Sequence, residues 1–243
     1  MAAFRERAAR AGVLLDFDGT LSPIVARPEL ATPAPGAREA LTSLIGRYAV
    51  VAVVTGRRAE EVAGLLSVPG LRYEGLYGLE RSAPELVFAL LPQVERAAAT
   101  VPEAWVEDKG VSVAVHYRSA PDPARGRIVL RAALEPVVAD AGMALIEGKM
   151  VLELVPADRP MKGGVVERIA GAGELQAILY AGDDVADLDA FDAMDRLAEA
   201  NLTTVKVAVR GDETPDTLMA SADLVVDGPV GLVDLLRALA APS

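Results

Sequence analysis

Gly12-Val13-Leu14-Leu15-Asp16-Phe17-Asp18-Gly19-Thr20-Leu21 is the stretch of this 243-residue chain whose chemistry decides the fold. Three aliphatic residues, Val13 to Leu15, run without interruption into two carboxylates and a glycine. A short continuous apolar run is the pattern of a strand covered on both faces. Open α/β sheets bind ligands beyond the carboxyl ends of such strands, which is where Asp16 and Asp18 fall. Separated by one residue, the two side chains point the same way if the chain stays extended. Like charges that close are unfavourable unless a cation or a proton shares the site, and a magnesium ion bound by oxygen would neutralise the pair. Gly19 then lets the backbone turn away at positive φ. The competing reading is a calcium loop of the Asp-x-Asp type. It fails position by position, because the EF-hand template needs glycine where this chain has Leu21 and a bidentate glutamate where it has Arg27.

The chain after this stretch alternates strand and helix. A loop with Pro23, Pro28, Pro33 and Pro35 precedes a helix expected from Gly36 to Arg47, with Ala40, Leu41, Leu44 and Ile45 at helical spacing. Ala49 to Val54 form a second wholly apolar strand, ending in Thr55-Gly56-Arg57. A helix through Glu60, Val62, Leu65 and Leu66 and a short strand near Leu71 to Glu74 follow. Strands interleaved with helices imply βαβ units and a parallel sheet. Thr55 at a strand end can donate to a phosphoryl oxygen, or can simply cap the next helix.

From Ser82 to Ala157 continuous runs give way to alternation. Val111, Val113, Val115 and Tyr117 share one face of an expected strand; Ser112, Ala114, His116 and Arg118 share the other. That is a half-buried antiparallel strand, pairing with Trp105 to Asp108 through a turn at Lys109-Gly110. A helix from Asp122 to Ala139 follows, then a hairpin centred on Gly148-Lys149 with arms 144–146 and 151–155. The expectation is an α+β insert at 82–157, an antiparallel sheet with two helices, between core segments 1–81 and 158–243. Glu107, Lys109, His116 and Arg118, with Glu153 as neighbour, fall on one face. Carboxylates that accept and cations that donate suit a polyhydroxylated ligand, though a solvated outer face accounts for the same residues.

The chain then returns to α/β. Met161-Lys162-Gly163-Gly164 leads into a helix with Val165, Val166, Ile169 and Ala170 on one face. A lysine at a helix start opposes the macrodipole, so Lys162 is better explained if it leans toward an anion. Ala177 to Ala181 form another apolar strand, closed by Gly182-Asp183-Asp184-Val185-Ala186-Asp187. Asp184 can cap the helix that follows, which leaves two further acids unexplained. Strands near 204–209 and 224–226 and a helix over 230–240 complete the pattern.

Composition sets limits. A 52% hydrophobic chain has ample material for a core, and no apolar run reaches the roughly 18 residues of a membrane span. Arg5, Arg7 and Arg10 precede an apolar run that Asp16 cuts short, which argues against a secretory signal. Without cysteine there are neither disulfides nor thiolate metal sites, which fits a cytoplasmic protein. A net charge of −11 argues against nucleic acid or an anionic membrane as partner, so an anionic substrate must be drawn in locally.

Asp16/Asp18, Thr55, Lys162 and Asp183/Asp184 stand in the order, and at the strand ends, of the four motifs of the haloacid dehalogenase superfamily of phosphohydrolases, which this chain resembles. Within it, Val106-Glu107-Asp108-Lys109-Gly110, Ala114-Val115-His116-Tyr117-Arg118, Gly148 to Pro156 and Gly182 to Phe191 resemble the trehalose-6-phosphate phosphatases, over about Leu14 to Val226. That family usually has threonine and glutamate at Ala186 and Leu188, and a histidine near Tyr77. The resemblance implies a Rossmann-like α/β parallel-sheet core with an inserted α+β cap that closes over it, acting as a monomer on a small-molecule sugar phosphate. It implies Asp16 as nucleophile and Asp18 as general acid and base, protonated beforehand by crowding among carboxylates. It implies Mg2+ on Asp16, Asp183 and the Asp18 carbonyl, with Thr55 and Lys162 on the phosphoryl oxygens. Asp184 and Asp187 would orient Lys162 or metal-bound water. Glu107, Lys109 and Glu153 would grip the sugar, with Arg57, His116 and Arg118 near the ring or phosphate. A phosphatase for another glycosyl phosphate, of the sucrose or mannosylglycerate type, and a non-catalytic sugar-phosphate sensor are the competing readings.

Overall fold

The computed structural model describes residues 2–25, 27–81, 85–148, 150–157, 161–172 and 174–241. The chain divides into two compact units: Met1–Gly78 with Pro160–Ser243, and Leu79–Arg159. The expected boundary residues 82 and 158, and Lys149 at the expected turn, lie outside the described residues.

In chain order, α1 (Ala2–Glu6) leads to β1 (Ala11–Leu15), α2 (Ala37–Leu44), β2 (Val50–Val54), α3 (Ala59–Leu66) and β3 (Arg72–Glu74). The second unit holds α4 (Glu85–Ala98), β4 (Trp105–Asp108), β5 (Val113–His116), α5 (Pro123–Ala141), β6 (Met143–Gly148) and β7 (Val151–Pro156). The first resumes with α6 (Lys162–Ala172), β8 (Ala177–Gly182), α7 (Ala186–Glu199), β9 (Thr203–Arg210), α8 (Asp216–Ser221), β10 (Leu224–Asp227) and α9 (Gly228–Ala240). Helix α2 stops three residues before the expected Arg47. Ile45 is extended and Gly46 left-handed (φ +81°), which breaks the α-helical ladder there.

The first unit's sheet has the order β10-β9-β8-β1-β2-β3, and every pairing is parallel. The chain steps outward from β1 to β3 on one side and from β8 to β10 on the other. The order therefore reverses at the β1–β8 pair, which opens a crevice beyond their carboxyl ends. All five residues of β1 are buried. Val13 and Leu15 pack with α2, α3 and α9; Leu14 packs with α6 and α7. Alternate side chains thus face two helical layers, which is why the run has to be continuously apolar.

The second unit is an antiparallel sheet of order β4-β5-β7-β6. One face, with Val113, Val115, Leu152 and Leu154, packs on Val94 of α4 and on Leu130 and Leu134 of α5. Asp122 caps α5 by accepting the Arg125 amide at 3.0 Å. Among the described residues, no helix is long and apolar enough to cross a membrane.

One buried acid lies outside the crevice. Glu74, at the end of β3, is 4% exposed and held by Arg72 and by Arg168 of α6, the latter at 2.7 Å. Burial pushes the Glu74 pKa up, but the two guanidinium groups outweigh it and leave it lowered. A lowered carboxyl contributes stability above its unfolded value, lost as pH falls through the folded one. Replacing Glu74 by alanine should cost about 3 kcal/mol at pH 7. The deficit should shrink as pH drops below 4, and chemical denaturation at the two pH values measures both.

Candidate active site

Asp16 is the first residue beyond β1 and is 6% exposed. Its amide still donates to Ala181 of the neighbouring strand, at 2.9 Å. The chain then folds onto one carbonyl, Phe17 O, which accepts from Leu21 and Ser22 at 2.8 and 2.9 Å. Gly19 sits at φ +78°, and a Cβ there would run into the Asp183 carboxylate. This turn ends the extended chain, so Asp16 and Asp18 part company instead of sharing one partner. The Asp16 carboxylate faces Lys162, with Nζ 3.1 Å from Oδ2. Asp18 is instead gripped by the Arg57 fork, Nε on Oδ2 at 2.7 Å and Nη2 on Oδ1 at 2.9 Å. A guanidinium is thus the immediate neighbour of the Asp18 carboxylate. Arg57 also donates to Glu61 and, at 3.0 Å, to Pro28 O.

Lys162 opens α6 and is 3% exposed. Burial disfavours its charge, but Asp16 and Asp187 outweigh burial, and the pKa is raised well above the ordinary lysine value. Asp187 is wholly buried and saturated with donors. Lys162 Nζ donates to its Oδ1 at 2.6 Å and Tyr180 Oη at 2.7 Å; the amides of Asp183 and Asp184 donate to Oδ2 at 3.0 and 2.9 Å. Asp184 does not cap α7, whose preceding residue Val185 has no side-chain cap bond. Its carboxylate takes the Val185 amide alone, at 2.6 Å, because Asp187 reaches back for the amides before it.

Asp16, Asp183 and Asp187 each present an oxygen within 4.8 Å of the others. Burial raises the Asp183 pKa to about 7, Asp187 adding to it, while the Thr20 hydroxyl at 2.9 Å works the other way. Burial likewise drives Asp16 well above the usual carboxylate range, against the pull of Lys162. Three buried acids face one ammonium, so the cluster is short of positive charge. Its donors are hard oxygens, which fit a magnesium-type cation. Since donors already fill the Asp187 oxygens, Asp16 and Asp183 are the acids that fit as ligands. The Asp18 side chain stands apart from this cluster, on Arg57.

Thr55 is buried just beyond β2 and accepts the Arg57 amide on Oγ1 at 3.1 Å. Its carbonyl accepts the amide of Tyr77 at 2.9 Å, in a segment where Leu76, Tyr77 and Gly78 are all left-handed (φ +50°, +56°, +87°). Strain in non-glycine residues concentrates at functional sites. Lys162 Nζ lies 5.7 Å from the centroid of the Tyr77 ring, within cation–π reach.

In the insert, Glu107 and His116 approach to 2.8 Å, and Glu153 accepts from Lys109 at 3.3 Å and Ser112 at 2.6 Å. Arg118 lies past the end of β5 and is exposed. Trp105, not singled out by periodicity or motif, stacks on His116.

The profile of the family described as trehalose-phosphatase matches residues 14–87 and 89–222. The chain belongs to the trehalose-phosphatase family. A trehalose-phosphate phosphatase of Mycobacterium avium is 35% identical over 249 residues, covering 94% of this chain and 61% of the relative. One from Mycobacterium ulcerans is 33% identical, over 95% and 62%. The chain thus spans about three fifths of the length of these relatives. Among solved structures, a trehalose-6-phosphate phosphatase related protein superposes with TM-score 0.72 at 22% identity, over 94% and 96% of the two chains. The Aspergillus fumigatus trehalose-6-phosphate phosphatase gives 0.68 at 23%, over 98% and 96%. At these identities the structures establish the shared fold.

Leu188 packs on the apolar layer beneath α7, and Asp187 beside it holds the Lys162 ammonium. Two neighbouring acids should then respond oppositely to amide substitution at pH 8 without divalent ions. Asp187→Asn forfeits the Lys162 ion pair and misplaces donors, costing about 3 kcal/mol, or roughly 6–12 °C in Tm. Asp183→Asn should hold or raise Tm, because a carboxyl raised to about 7 in the fold costs stability as pH climbs from the ordinary carboxylate value toward 7, and the whole of that cost is present at pH 8. Thermal melts of both variants with chelator present decide this; parallel losses would refute it.

Proposed function

We propose that this chain hydrolyses trehalose 6-phosphate to trehalose and phosphate by two-step phosphoryl transfer. The observation that carries this reading is the buried Asp16 carboxylate, 3.1 Å from Lys162 Nζ at the point where the sheet order reverses, in a chain matched by the family profile along most of its length. In the first step an Asp16 oxygen attacks phosphorus as the bond from phosphorus to the sugar oxygen breaks, and Asp18 gives that oxygen a proton. In the second, water attacks phosphorus, Asp18 takes the water's proton, and the bond to Asp16 breaks, releasing phosphate.

For this, the Asp18–Arg57 pair has to open, and a phosphoryl dianion is a strong competitor for a guanidinium fork. Lys162, held by Asp187, balances charge on the transferring group, and Thr55 offers a hydroxyl to it. Asp184, exposed beside the cluster, would steer water there. Asp16, Asp183 and the Asp18 carbonyl would hold Mg2+, which when bound neutralises the buried acids and the phosphoryl charge. Glu107, Lys109 and Glu153 of the insert would grip sugar hydroxyls, with His116 and Arg118 near the ring or phosphate. The unit 82–157 would thus set specificity, and residues 1–81 with 158–243 would carry the chemistry.

A phosphate-release screen tests the reading. Trehalose 6-phosphate should be turned over in preference to glucose 6-phosphate and sucrose 6-phosphate, with activity lost in chelator and restored by Mg2+. Asp16→Asn should lower kcat at least 10³-fold, about 4 kcal/mol of barrier, with the melting transition retained. Equal rates on glucose 6-phosphate, or indifference to chelator, would refute it.

A further inference from the structure

Trp105 is the only tryptophan in the chain, and it is spent on a surface. It opens β4, at the edge of the insert's sheet, and is 53% exposed. Its ring lies on that of His116 with centroids 4.0 Å apart and planes 9° from parallel. Trp105 and His116 are direct cross-strand partners, so the stack is fixed by register, not by chance contact. His116 Nε2 lies 2.8 Å from Glu107 Oε2, the geometry of an imidazole N–H donating to a carboxylate, which pins the imidazole beneath the indole.

The next row of the same face runs Glu107, Ala114, Glu153 across β4, β5 and β7. Ala114 contributes only a methyl between two carboxylates, whose strands lie about 10 Å apart. The face is thus a flat aromatic plate beside a pair of acceptors, with Lys109 Nζ and Ser112 Oγ on Glu153 as donors. An indole presents on the order of 200 Å2. Leaving about half of it wet forgoes the apolar burial that a large aromatic side chain ordinarily gains.

We propose that Trp105, backed by His116, is the stacking platform for one pyranose ring of the substrate. A pyranose has an apolar face of C–H groups and a rim of hydroxyls. The first suits the indole and the second suits Glu107 and Glu153. A nucleobase would also stack, but its phosphates would be driven toward two carboxylates in a chain of net charge −11. The occupant chosen by these groups is a neutral ring of C–H and O–H. The inference rests on the phosphatase reading only for which sugar is carried, and it assigns the ring contact to a residue outside the motifs that carry the family resemblance.

The lone indole reports on itself. In the Asp16→Asn protein, which binds without turnover, trehalose 6-phosphate should shift Trp105 emission saturably, whereas inorganic phosphate at equal concentration should not. In the wild-type background, Trp105→Leu should raise KM for trehalose 6-phosphate about 10-fold with kcat within twofold. Trp105→Phe, which keeps an aromatic face, should recover most of that loss. A merely structural indole would not produce this split between KM and kcat. Emission that stays fixed while calorimetry registers trehalose 6-phosphate binding overturns the platform, as does a wild-type KM in Trp105→Leu; either leaves the phosphatase reading standing. If no sugar phosphate is hydrolysed or bound, that reading falls, and trehalose itself decides the platform: a saturable emission change supports it and a flat titration overturns it.

Discussion

A single ammonium held among buried carboxylates is the constraint around which the first unit is built. Lys162 is taken out of water at the start of a helix, the end at which the macrodipole is least favourable to it. Only strong pairing makes that tolerable, and Asp16 and Asp187 supply it at 3.1 and 2.6 Å. The consequence runs outward. Asp16 must follow β1 and Asp187 must lie one turn past β8, so those strands must be neighbours, with α6 delivering the lysine between them. Glycine is required at position 19 because the turn passes too close to Asp183 for any side chain.

The same cluster carries more negative charge than its lysine can balance. One lysine cannot balance Asp16, Asp183 and Asp187 together, and burial adds to the imbalance by opposing every unpaired charge. The shift of Asp183 to about 7 expresses that deficit. Asp187 is differently placed, because an ammonium, a phenol and two amides converge on its oxygens. Its role is therefore to fix the lysine and the turn after β8, leaving Asp16 and Asp183 as the acids with capacity to spare.

How much of this was legible in the chain follows from the range of the forces involved. The strands of the parallel sheet could be read because burial on both faces demands unbroken apolar runs, as in Val13 to Leu15 and Ala177 to Ala181. The insert's hairpins could be read because one solvated face demands alternation, as in Val111 to Arg118. What could not be read depends on turns and on long-range pairing. The parting of Asp16 from Asp18 is decided by a turn closed on one carbonyl, Phe17 O, which no periodicity reports. The Arg57 fork on Asp18 joins residues 39 apart, and nothing local distinguishes Arg57 from any cation after a glycine. Asp184 looked like a cap because it precedes a helix; Asp187 takes the amides instead, from inside the helix.

Two kinds of site physics are separated between the units. In the first, charges are buried and strongly coupled, so single substitutions there alter ionisation and stability together. In the insert, Glu107, Lys109, His116 and Glu153 stay partly in water, where ion pairs contribute little to stability. Those side chains can therefore vary with little effect on the fold, whereas Lys162 and Asp187 cannot be altered without disturbing the turn and helix that carry them. In a chain divided in this way, the residues proposed to hold a sugar can change while the phosphoryl chemistry proposed for the buried cluster stays fixed.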